Sequence, residues 1–199
     1  DPAVLHRLAD SARYIMEHTP EVCLITTDWE PQVPVLSIEY DQAAARALGA
    51  GAGSRGMVYG QELDLKYEAL AATEEQLRLI HRNKTGALIN AAIQMGAAAA
   101  GATPQQCEIL ASYAYGLGLV FQIVDDVLDV TSTPEQLGKP IGSDSENGKT
   151  TFVTLYGVDG AMVLAQKLNE QICNDLQQHF GAKAAFLQQL AQQLLVRKN

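Results

Sequence analysis

The stretch from Leu110 to Val130 constrains the fold of this chain more than any other part of its sequence. Apolar residues recur there every three or four positions, which is the spacing of one face of an α-helix. These residues are Leu110, Ala114, Leu117, Phe121, Val124 and Leu128. The pattern predicts a long helix whose continuous apolar face lies in the core.

Helix boundaries are marked on both sides of residue 102. Thr73 is a favourable N-cap, and Gln76 stands three residues later, as a capping box requires. We expect the helix that begins there to continue to Gly101, a natural C-cap. Thr103 and Pro104 then open the next helix, which carries the apolar stripe. Alanine, the best helix former, contributes much of the 47% hydrophobic content, so the composition also favours helices.

The rest of the chain is also predicted to be helical, apart from one extended segment and one long loop. Residues 20–41 are rich in β-branched residues and contain Pro31 and Pro34, so we expect a hairpin or an extended loop there. Further helices are predicted at residues 1–18, 42–48 and 57–68, from Thr150 or Thr151, from Asp159 to about Gly181, and at the C-terminus. The loop at 131–149 is long for a compact domain, and loops of that length are usually functional or disordered.

A polar stripe runs beside the apolar one on the same predicted helix. It consists of Tyr115, Gly118, Gln122, Asp125 and Asp129, and Asp126 flanks it. Carboxylates four residues apart on a helix repel each other, and a divalent ion between them would reverse that cost. Oxygen-only ligands of this kind suit Mg²⁺. The alternative is a solvated polar face, but the strongly apolar neighbours of the stripe favour a cavity.

Three lysines accompany the carboxylates. Lys139 and Lys149 each follow a glycine in the loop after the stripe, and Lys84 lies inside the helix predicted to start at Thr73. A lone lysine in a helix usually extends its ammonium group to solvent. Three lysines together with a carboxylate stripe instead favour a binding site for an anion.

The overall charge restricts the class of partner. The formal net charge is −9 and the isoelectric point is about 4.8, so the chain has no field that attracts nucleic acid or anionic lipid. The odd number of cysteines fits a reducing compartment, and we expect a cytoplasmic protein. No uninterrupted apolar run reaches the roughly 18 residues of a membrane span, so no span is expected.

Several ordered motifs make the sequence similar to one enzyme family. Residues 121–129 (FQIVDDVLD) resemble the second aspartate-rich motif of the trans-isoprenyl diphosphate synthases, the family of farnesyl and geranylgeranyl diphosphate synthases. Leu137-Gly-Lys139, Gly142-Ser-Asp144 and residues 148–151 (GKTT) continue that likeness.

Two earlier stretches agree with this resemblance. Residues 56–61 (GMVYGQ), followed by Leu63-Asp64-Leu65, resemble the central helix of the family. Residues 81–89 (HRNKTGALI) resemble its lysine-threonine motif. The likeness covers about residues 43–199, so we predict a helical synthase-like domain there and an atypical N-terminal segment at residues 1–42.

The resemblance implies a fold, a reaction and a site. The fold is all-α, an antiparallel helical bundle around a central cavity, and the usual assembly is a homodimer. The reaction is the Mg²⁺-dependent condensation of an allylic prenyl diphosphate with isopentenyl diphosphate. The implied Mg²⁺ ligands are Asp125, Asp126 and Asp129. The implied substrate-binding residues are Gln61, Lys84, Thr85, Gln122, Lys139 and Lys149, of which Lys84, Thr85, Gln122 and Lys139 take part in catalysis.

Two family features have no counterpart in this sequence. No Asp-Asp pair precedes Asp125, and residues 1–42 contain no glycine-lysine-arginine segment of the kind that binds isopentenyl diphosphate in the family. Three interpretations stay open: a fragment or rearranged form of an active enzyme, a non-catalytic subunit that pairs with a complete synthase, or a protein that binds a diphosphate without converting it. The intact aspartates and lysines favour the first. Product length is left open, and the absence of terpene cyclase motifs disfavours that enzyme class.

Overall fold

The computed structural model describes residues 2–18, 25–30, 33–38, 41–68, 70–132 and 149–197. The chain divides into two compact units, residues 1–45 and residues 46–199. The sequence predicts an atypical segment at residues 1–42 and a synthase-like domain at residues 43–199. Compactness alone does not identify either unit as such, so this division stays a prediction.

The described part of the first unit comprises a helix and two antiparallel strands. Helix α1 spans Pro2–Glu17, strand β1 spans Ile25–Glu30 and strand β2 spans Val33–Ile38. The register runs from Ile25 opposite Ile38 to Glu30 opposite Val33. The segment 20–41, for which the sequence predicts a hairpin or an extended loop, contains both strands.

The second unit is helical throughout its described elements. They are α2 (Gln42–Ala52), which begins at the end of the first unit, α3 (Met57–Tyr67), α4 (Glu74–His81), a π-helical turn (Arg82–Gly86), α5 (Ala87–Ala99), α6 (Pro104–Thr131), α7 (Phe152–Phe180), a 3₁₀ turn (Gly181–Ala184) and α8 (Ala185–Leu195). The prediction of an all-helical fold is confirmed.

Helix caps lie where the sequence signals predict them. Thr73 and Thr103 each accept a hydrogen bond from the backbone N–H three residues later, and the glutamine at that position accepts one from the cap residue in return. Thr151 caps α7 in the same reciprocal way. After α5, Gly101 has φ 67°, and its N–H and that of the next residue donate back to carbonyl groups of the helix. This arrangement is a Schellman motif, which glycine forms without strain.

One helix differs in its interior from the sequence-based prediction. The helix predicted from Thr73 to Gly101 contains the π-helical turn Arg82–Gly86, a local change of hydrogen-bonding pattern that hydrophobic periodicity does not reveal. Helix α7 has a break at Gly157, where φ is 69° and ψ is 170°. The sequence predicts two helices in this region, and the break between them lies two residues before the predicted cap Asp159.

Helix α6 carries the core of the second unit. Its buried apolar residues other than Ala114 belong to two clusters. Helix α6 shares the first cluster with α4 and α7, and the second with α7, the 3₁₀ turn and α8. The first cluster comprises Leu77, Val120, Ile123, Val124, Val127, Phe152, Ala161 and Ala165, and the second comprises Tyr113, Leu117, Ile172, Leu176, Ala184 and Ala191. The predicted apolar stripe is buried at Ala114, Leu117 and Val124 and half-buried at its other members, so it is the core face of α6.

By length and composition alone, α6 could cross a membrane, although it contains no uninterrupted apolar run of that length. The core helix of a soluble protein meets the same criterion, so a single helix of this kind is weak evidence for a span. In this structure α6 packs against α5, α7 and α8 and buries two carboxylates, Asp126 and Asp129. The absence of a membrane span stays a prediction.

Candidate active site

A cavity of about 230 Å³ opens beside the C-terminal half of α6. Its walls come from α3, the end of α4, the π-helical turn, α6 and the residues that begin α7. The lining residues are Asp64, His81, Lys84, Gln122, Asp125, Asp126, Lys149, Thr150 and Thr151. All of them carry polar or charged side chains, so the cavity suits a charged ligand rather than an apolar one.

Two glycines let the π-helical turn approach its neighbours closely. A Cβ atom at Gly60 of α3 would overlap the backbone of Lys84, and one at Gly118 of α6 would lie 3.0 Å from the Cα atom of Gly86. A larger residue at either position would push α3 or α6 away from the turn. The glycines therefore hold the turn that carries Lys84 and Thr85 against both helices.

Two of the predicted lysines share one buried carboxylate. The Nζ atom of Lys84 lies 2.5 Å from Oδ2 of Asp64, and the Nζ atom of Lys149 lies 2.7 Å from Oδ1 of the same side chain. Burial raises the pKa of Asp64, but the hydrogen bonds and charges of Lys149 and Lys84 together lower that pKa below its ordinary value. Asp64 is therefore ionised at neutral pH and holds two cations at the cavity.

The segment that carries Lys149 is tied to the residues before α4 and to α6. The hydroxyl oxygen of Thr150 accepts a hydrogen bond from the backbone N–H of Ala72 at 3.0 Å. A carboxylate oxygen of Asp126 accepts one from the backbone N–H of Phe152 at 2.8 Å. A carboxylate at a helix N-terminus is also favoured by the helix dipole. Asp126 thus joins α6 to the start of α7 and helps to fix the position of Lys149.

The three aspartates of the predicted metal site have different surroundings. Asp125 lines the cavity, and Oδ1 of its carboxylate lies 3.0 Å from Nη2 of Arg197. The Arg197 guanidinium stacks 4.0 Å from the ring centroid of Phe121. Asp126 is buried at the cavity, whereas Asp129 is only 2% exposed and is not among the lining residues. The structure therefore brings Asp125 and Asp126 together with Lys84 and Lys149.

The predicted pair of Thr85 and Gln122 joins the π-helical turn to α6. The hydroxyl of Thr85 donates a hydrogen bond to the side-chain oxygen of Gln122 at 2.5 Å. Gln122 lines the cavity, and Thr85 is half-buried. This contact fixes the orientation of the Gln122 amide at the cavity wall.

The oxygen-rich lining fits a hard cation without forming a complete metal site. Among the described residues, no group of three or more His, Cys, Asp or Glu side chains is placed to hold a metal ion. Mg²⁺ is commonly held by one or two protein carboxylates, while water and substrate phosphates complete its coordination. Asp125, at the cavity beside the lysines, is a carboxylate of this kind.

A comparison with known protein families identifies the family of the chain that contains this cavity. Residues 50–190 match the family model described as polyprenyl synthetase. The chain belongs to the polyprenyl synthetase family. This match confirms the resemblance to trans-isoprenyl diphosphate synthases that the sequence motifs predict.

Curated relatives and solved structures agree with this assignment. The chloroplastic geranylgeranyl pyrophosphate synthase 9 of Arabidopsis thaliana is 41% identical over 155 residues, which cover 76% of this chain and 43% of the relative. The farnesyl diphosphate synthase of Haemophilus influenzae is 38% identical over 148 residues, 73% of this chain and 50% of the relative. The chain thus spans about half the length of the curated relatives it matches.

A solved structure shares the fold of this polyprenyl synthetase chain. The geranyltransferase of Helicobacter pylori, in a complex with magnesium and isoprenyl diphosphate, aligns with a TM-score of 0.66 and 35% identity. The alignment covers 76% of this chain and 50% of that chain. The all-helical architecture around the cavity is therefore that of a known isoprenoid synthase fold.

The cavity does not test the predictions made for Gln61 and Lys139 of the polyprenyl synthetase site. Gln61 follows Gly60 on α3, is half-buried and is not among the lining residues. Lys139 lies outside the described residues. The predicted roles of both residues stay predictions.

The sequence patterns do not assign Asp64, His81 or Arg197 to the site. Asp64 and His81 lie within the family-like stretches, but the motifs alone did not mark them as site residues. An aspartate between two leucines was the available signal for Asp64. Arg197 follows α8 and carries no sequence signal, because its link to Asp125 depends on tertiary packing across 72 residues.

Proposed function

We propose that this polyprenyl synthetase chain carries the diphosphate site of a prenyltransferase, which condenses an allylic diphosphate with isopentenyl diphosphate to make a linear prenyl diphosphate. The names of the relatives support this reaction class. The observation that carries the proposal is the convergence of Lys84 and Lys149 on Asp64, in a cavity that Asp125 also lines. Two ammonium groups in one polar cavity supply the positive charge and the hydrogen-bond donors that a diphosphate requires.

The lysines can bind a diphosphate while they keep their contacts with Asp64. An ammonium group has three N–H donors, and Asp64 accepts from each lysine through a different carboxylate oxygen. An ammonium group that donates to a carboxylate can therefore also donate to a phosphate oxygen. As the bond between the allylic carbon and the diphosphate breaks, negative charge grows on the diphosphate, and Lys84 and Lys149 stabilise it without moving into place first.

We infer that Mg²⁺ binds beside these lysines, with Asp125 as its main protein ligand. When bound, the ion neutralises charge on the departing diphosphate. The geranyltransferase of Helicobacter pylori, which is complexed with magnesium and isoprenyl diphosphate, supports this inference. A direct bond to the ion would require Asp125 to share or release its contact with Arg197. Asp126 and Asp129 stay further predicted ligands.

A homodimer and a cytoplasmic location are further parts of the proposal. Several large apolar side chains of the second unit are exposed, among them Val58, Leu65 and Phe186. A second copy of the chain would cover apolar surface of this kind. Unpaired Cys107 and Cys173 agree with a reducing compartment.

A second candidate function is a non-catalytic, diphosphate-binding subunit that pairs with a complete synthase. One sequence observation favours it, because no Asp-Asp pair precedes Asp125. In this case the cavity would bind a diphosphate, but the chain alone would form no product.

Product formation tests the proposal. The chain is incubated with farnesyl diphosphate, labelled isopentenyl diphosphate and Mg²⁺, and extracted products are separated by chain length. We expect a labelled prenyl diphosphate, and we expect Lys84→Gln to lower the rate on the order of a hundredfold, because it removes a donor that stabilises the leaving group. Lys167→Gln, which changes an exposed lysine of α7, is the matched control and should leave the rate unchanged.

The same assay separates the two candidate functions. If the chain alone forms no product but restores or raises turnover when mixed with a complete synthase, the subunit interpretation is correct. A wild-type rate in Lys84→Gln would contradict the proposed role of the cavity.

A further inference from the structure

His81 is a buried polar side chain that the proposed reaction leaves unexplained. It is the last residue of α4, is 8% exposed, and neither ring nitrogen has a hydrogen-bond partner among the described residues. Burial lowers the pKa of the imidazole to about 4, an effect that Asp64 opposes and that Lys149 and Lys84 reinforce. The ring is therefore uncharged at neutral pH. A buried polar group without partners is costly, so a ligand that pairs with it is expected.

The position of the ring indicates where that ligand binds. His81 lines the same cavity as Lys84 and Lys149. The ring also packs against Phe152, with the ring centroids 5.7 Å apart and the planes tilted by 31°. A ring contact of this kind provides apolar packing but no partner for the nitrogens, which form hydrogen bonds in the plane of the imidazole. The two ring nitrogens are thus buried polar atoms of a cavity-lining side chain for which the described residues supply no partner.

We propose that His81 contacts the substrate: one ring N–H donates a hydrogen bond to an oxygen of the diphosphate that Lys84 and Lys149 bind. This inference rests on the proposed function, because it requires a diphosphate in this cavity. A neutral imidazole has one N–H donor at a fixed position and adds no charge. His81 therefore orients the diphosphate, whereas the flexible lysines mainly attract it.

A metal-binding role for His81 is less consistent with its surroundings. No cluster of His, Cys, Asp and Glu side chains with metal-binding geometry occurs in the part of the chain that the structure describes. Mg²⁺, the ion inferred for this cavity, also takes oxygen ligands in preference to imidazole nitrogen.

Two substitutions at His81 separate substrate contact from packing. His81→Phe keeps a planar ring against Phe152 and removes both nitrogens, and His81→Gln keeps an N–H donor without the ring. His179→Phe is the matched control, because His179 is an exposed histidine of α7 outside the cavity. For each variant, binding of inorganic pyrophosphate with Mg²⁺ is measured by calorimetry at neutral pH, and folding is checked by the melting temperature.

We expect His81→Phe to melt no lower than the wild type and to bind pyrophosphate about tenfold more weakly, because a hydrogen bond to a charged acceptor is lost. His81→Gln should bind more tightly than His81→Phe, and His179→Phe should bind like the wild type. In the wild type, the ¹⁵N resonances of the His81 ring should shift when pyrophosphate is added.

Other results distinguish a failure of the His81 role from a failure of the diphosphate site. Wild-type affinity in His81→Phe would overturn the role of His81 and leave the proposed diphosphate site intact. Absence of pyrophosphate binding in the wild type would overturn both. If His81→Phe does not fold, the ¹⁵N shift in the wild type decides alone, and unchanged ring resonances at saturating pyrophosphate would overturn the role of His81.

Discussion

Single glycines set how closely the backbone can approach the residues that bind the ligand. Gly60 and Gly118 pack against the π-helical turn from α3 and α6, where a Cβ atom would meet backbone atoms. Backbone cannot rotate away as the end of a long side chain can, so both helices would have to move. Gly96 of α5 is different, because a Cβ atom there would meet nothing within 4 Å.

Gly60→Ala should therefore destabilise the protein, by about 1–3 kcal/mol as for other overpacked sites. Gly96→Ala, the matched control, should instead stabilise it by roughly 0.5–1 kcal/mol, since alanine favours a helix interior. Urea unfolding measures both changes. Equal free energies of unfolding for the two variants would contradict the close packing at Lys84.

Acid should destabilise the folded protein partly through protonation of His81. Because the pKa of His81 is about 4 in the folded protein and 6.5 is its ordinary value, proton binding at His81 favours the unfolded chain. This contribution to the free energy of unfolding is fully present above pH 6.5 and is lost as the pH falls through 4. It amounts to roughly 3 kcal/mol, because each pKa unit corresponds to about 1.36 kcal/mol.

His81→Phe should lose this part of the acid dependence. The charged groups that influence His81, namely Asp64, Lys84 and Lys149, are unchanged in the variant, so the difference between the two stability profiles isolates the histidine. Free energies of unfolding measured from pH 7 to pH 4 test this expectation. Parallel profiles would show that His81 is not buried in the neutral state.

Residue identities at the site were only partly predictable from sequence. Asp125 could be found from α6 alone, because it belongs to the predicted polar stripe, which Asp126 flanks. Lys84 could be found from the lysine-threonine motif. Asp64 and His81 belong to other helices, and their approach to the lysines depends on glycine contacts that no local pattern reveals.

At the scale of elements, capping signals predicted helix ends better than periodicity predicted helix interiors. Thr73, Thr103 and Thr151 form reciprocal hydrogen bonds within four residues, so their geometry is local and readable from sequence. The π-helical turn arises inside an apolar pattern that an unbroken helix would also show. Such interruptions depend on what packs against the helix rather than on its own residues.

The segment after α8 offers a test of the inferred metal ligand. Arg197 bonds to Asp125, so its guanidinium occupies an oxygen that Mg²⁺ would use, and its charge repels the ion. Arg197→Gln should therefore bind Mg²⁺ several-fold more tightly in the absence of diphosphate, as measured by calorimetry. Arg13→Gln, which breaks the exposed ion pair with Asp10, is the control. Weaker Mg²⁺ binding in Arg197→Gln would contradict competition at Asp125.

At the scale of the whole molecule, the second unit is a polyprenyl synthetase fold whose polar cavity opens beside its main core helix. The family match covers residues 50–190, so the elements that line the cavity are those of the family. The sequence predicted this class from helical composition and ordered motifs. It could not predict which residues line the cavity, because α3, α4, α6 and the residues before α7 meet only in the folded chain.

Because the net charge is −9, diphosphate binding requires the cavity lysines. A chain with this charge repels a diphosphate at long range, so binding must depend on local cations and on a metal ion. Lys84 and Lys149 are the cavity-lining lysines in the described part of the chain. Replacing both lysines should abolish diphosphate binding. Replacing the exposed Lys167 and Lys183 changes the net charge by the same amount and is the control.

Calorimetric titration of inorganic pyrophosphate into the full chain is the most direct test of the diphosphate site. We expect Mg²⁺-dependent binding by the wild type and by the Lys167→Gln/Lys183→Gln control, and no measurable binding by Lys84→Gln/Lys149→Gln. Equal affinity in the two double variants would contradict it.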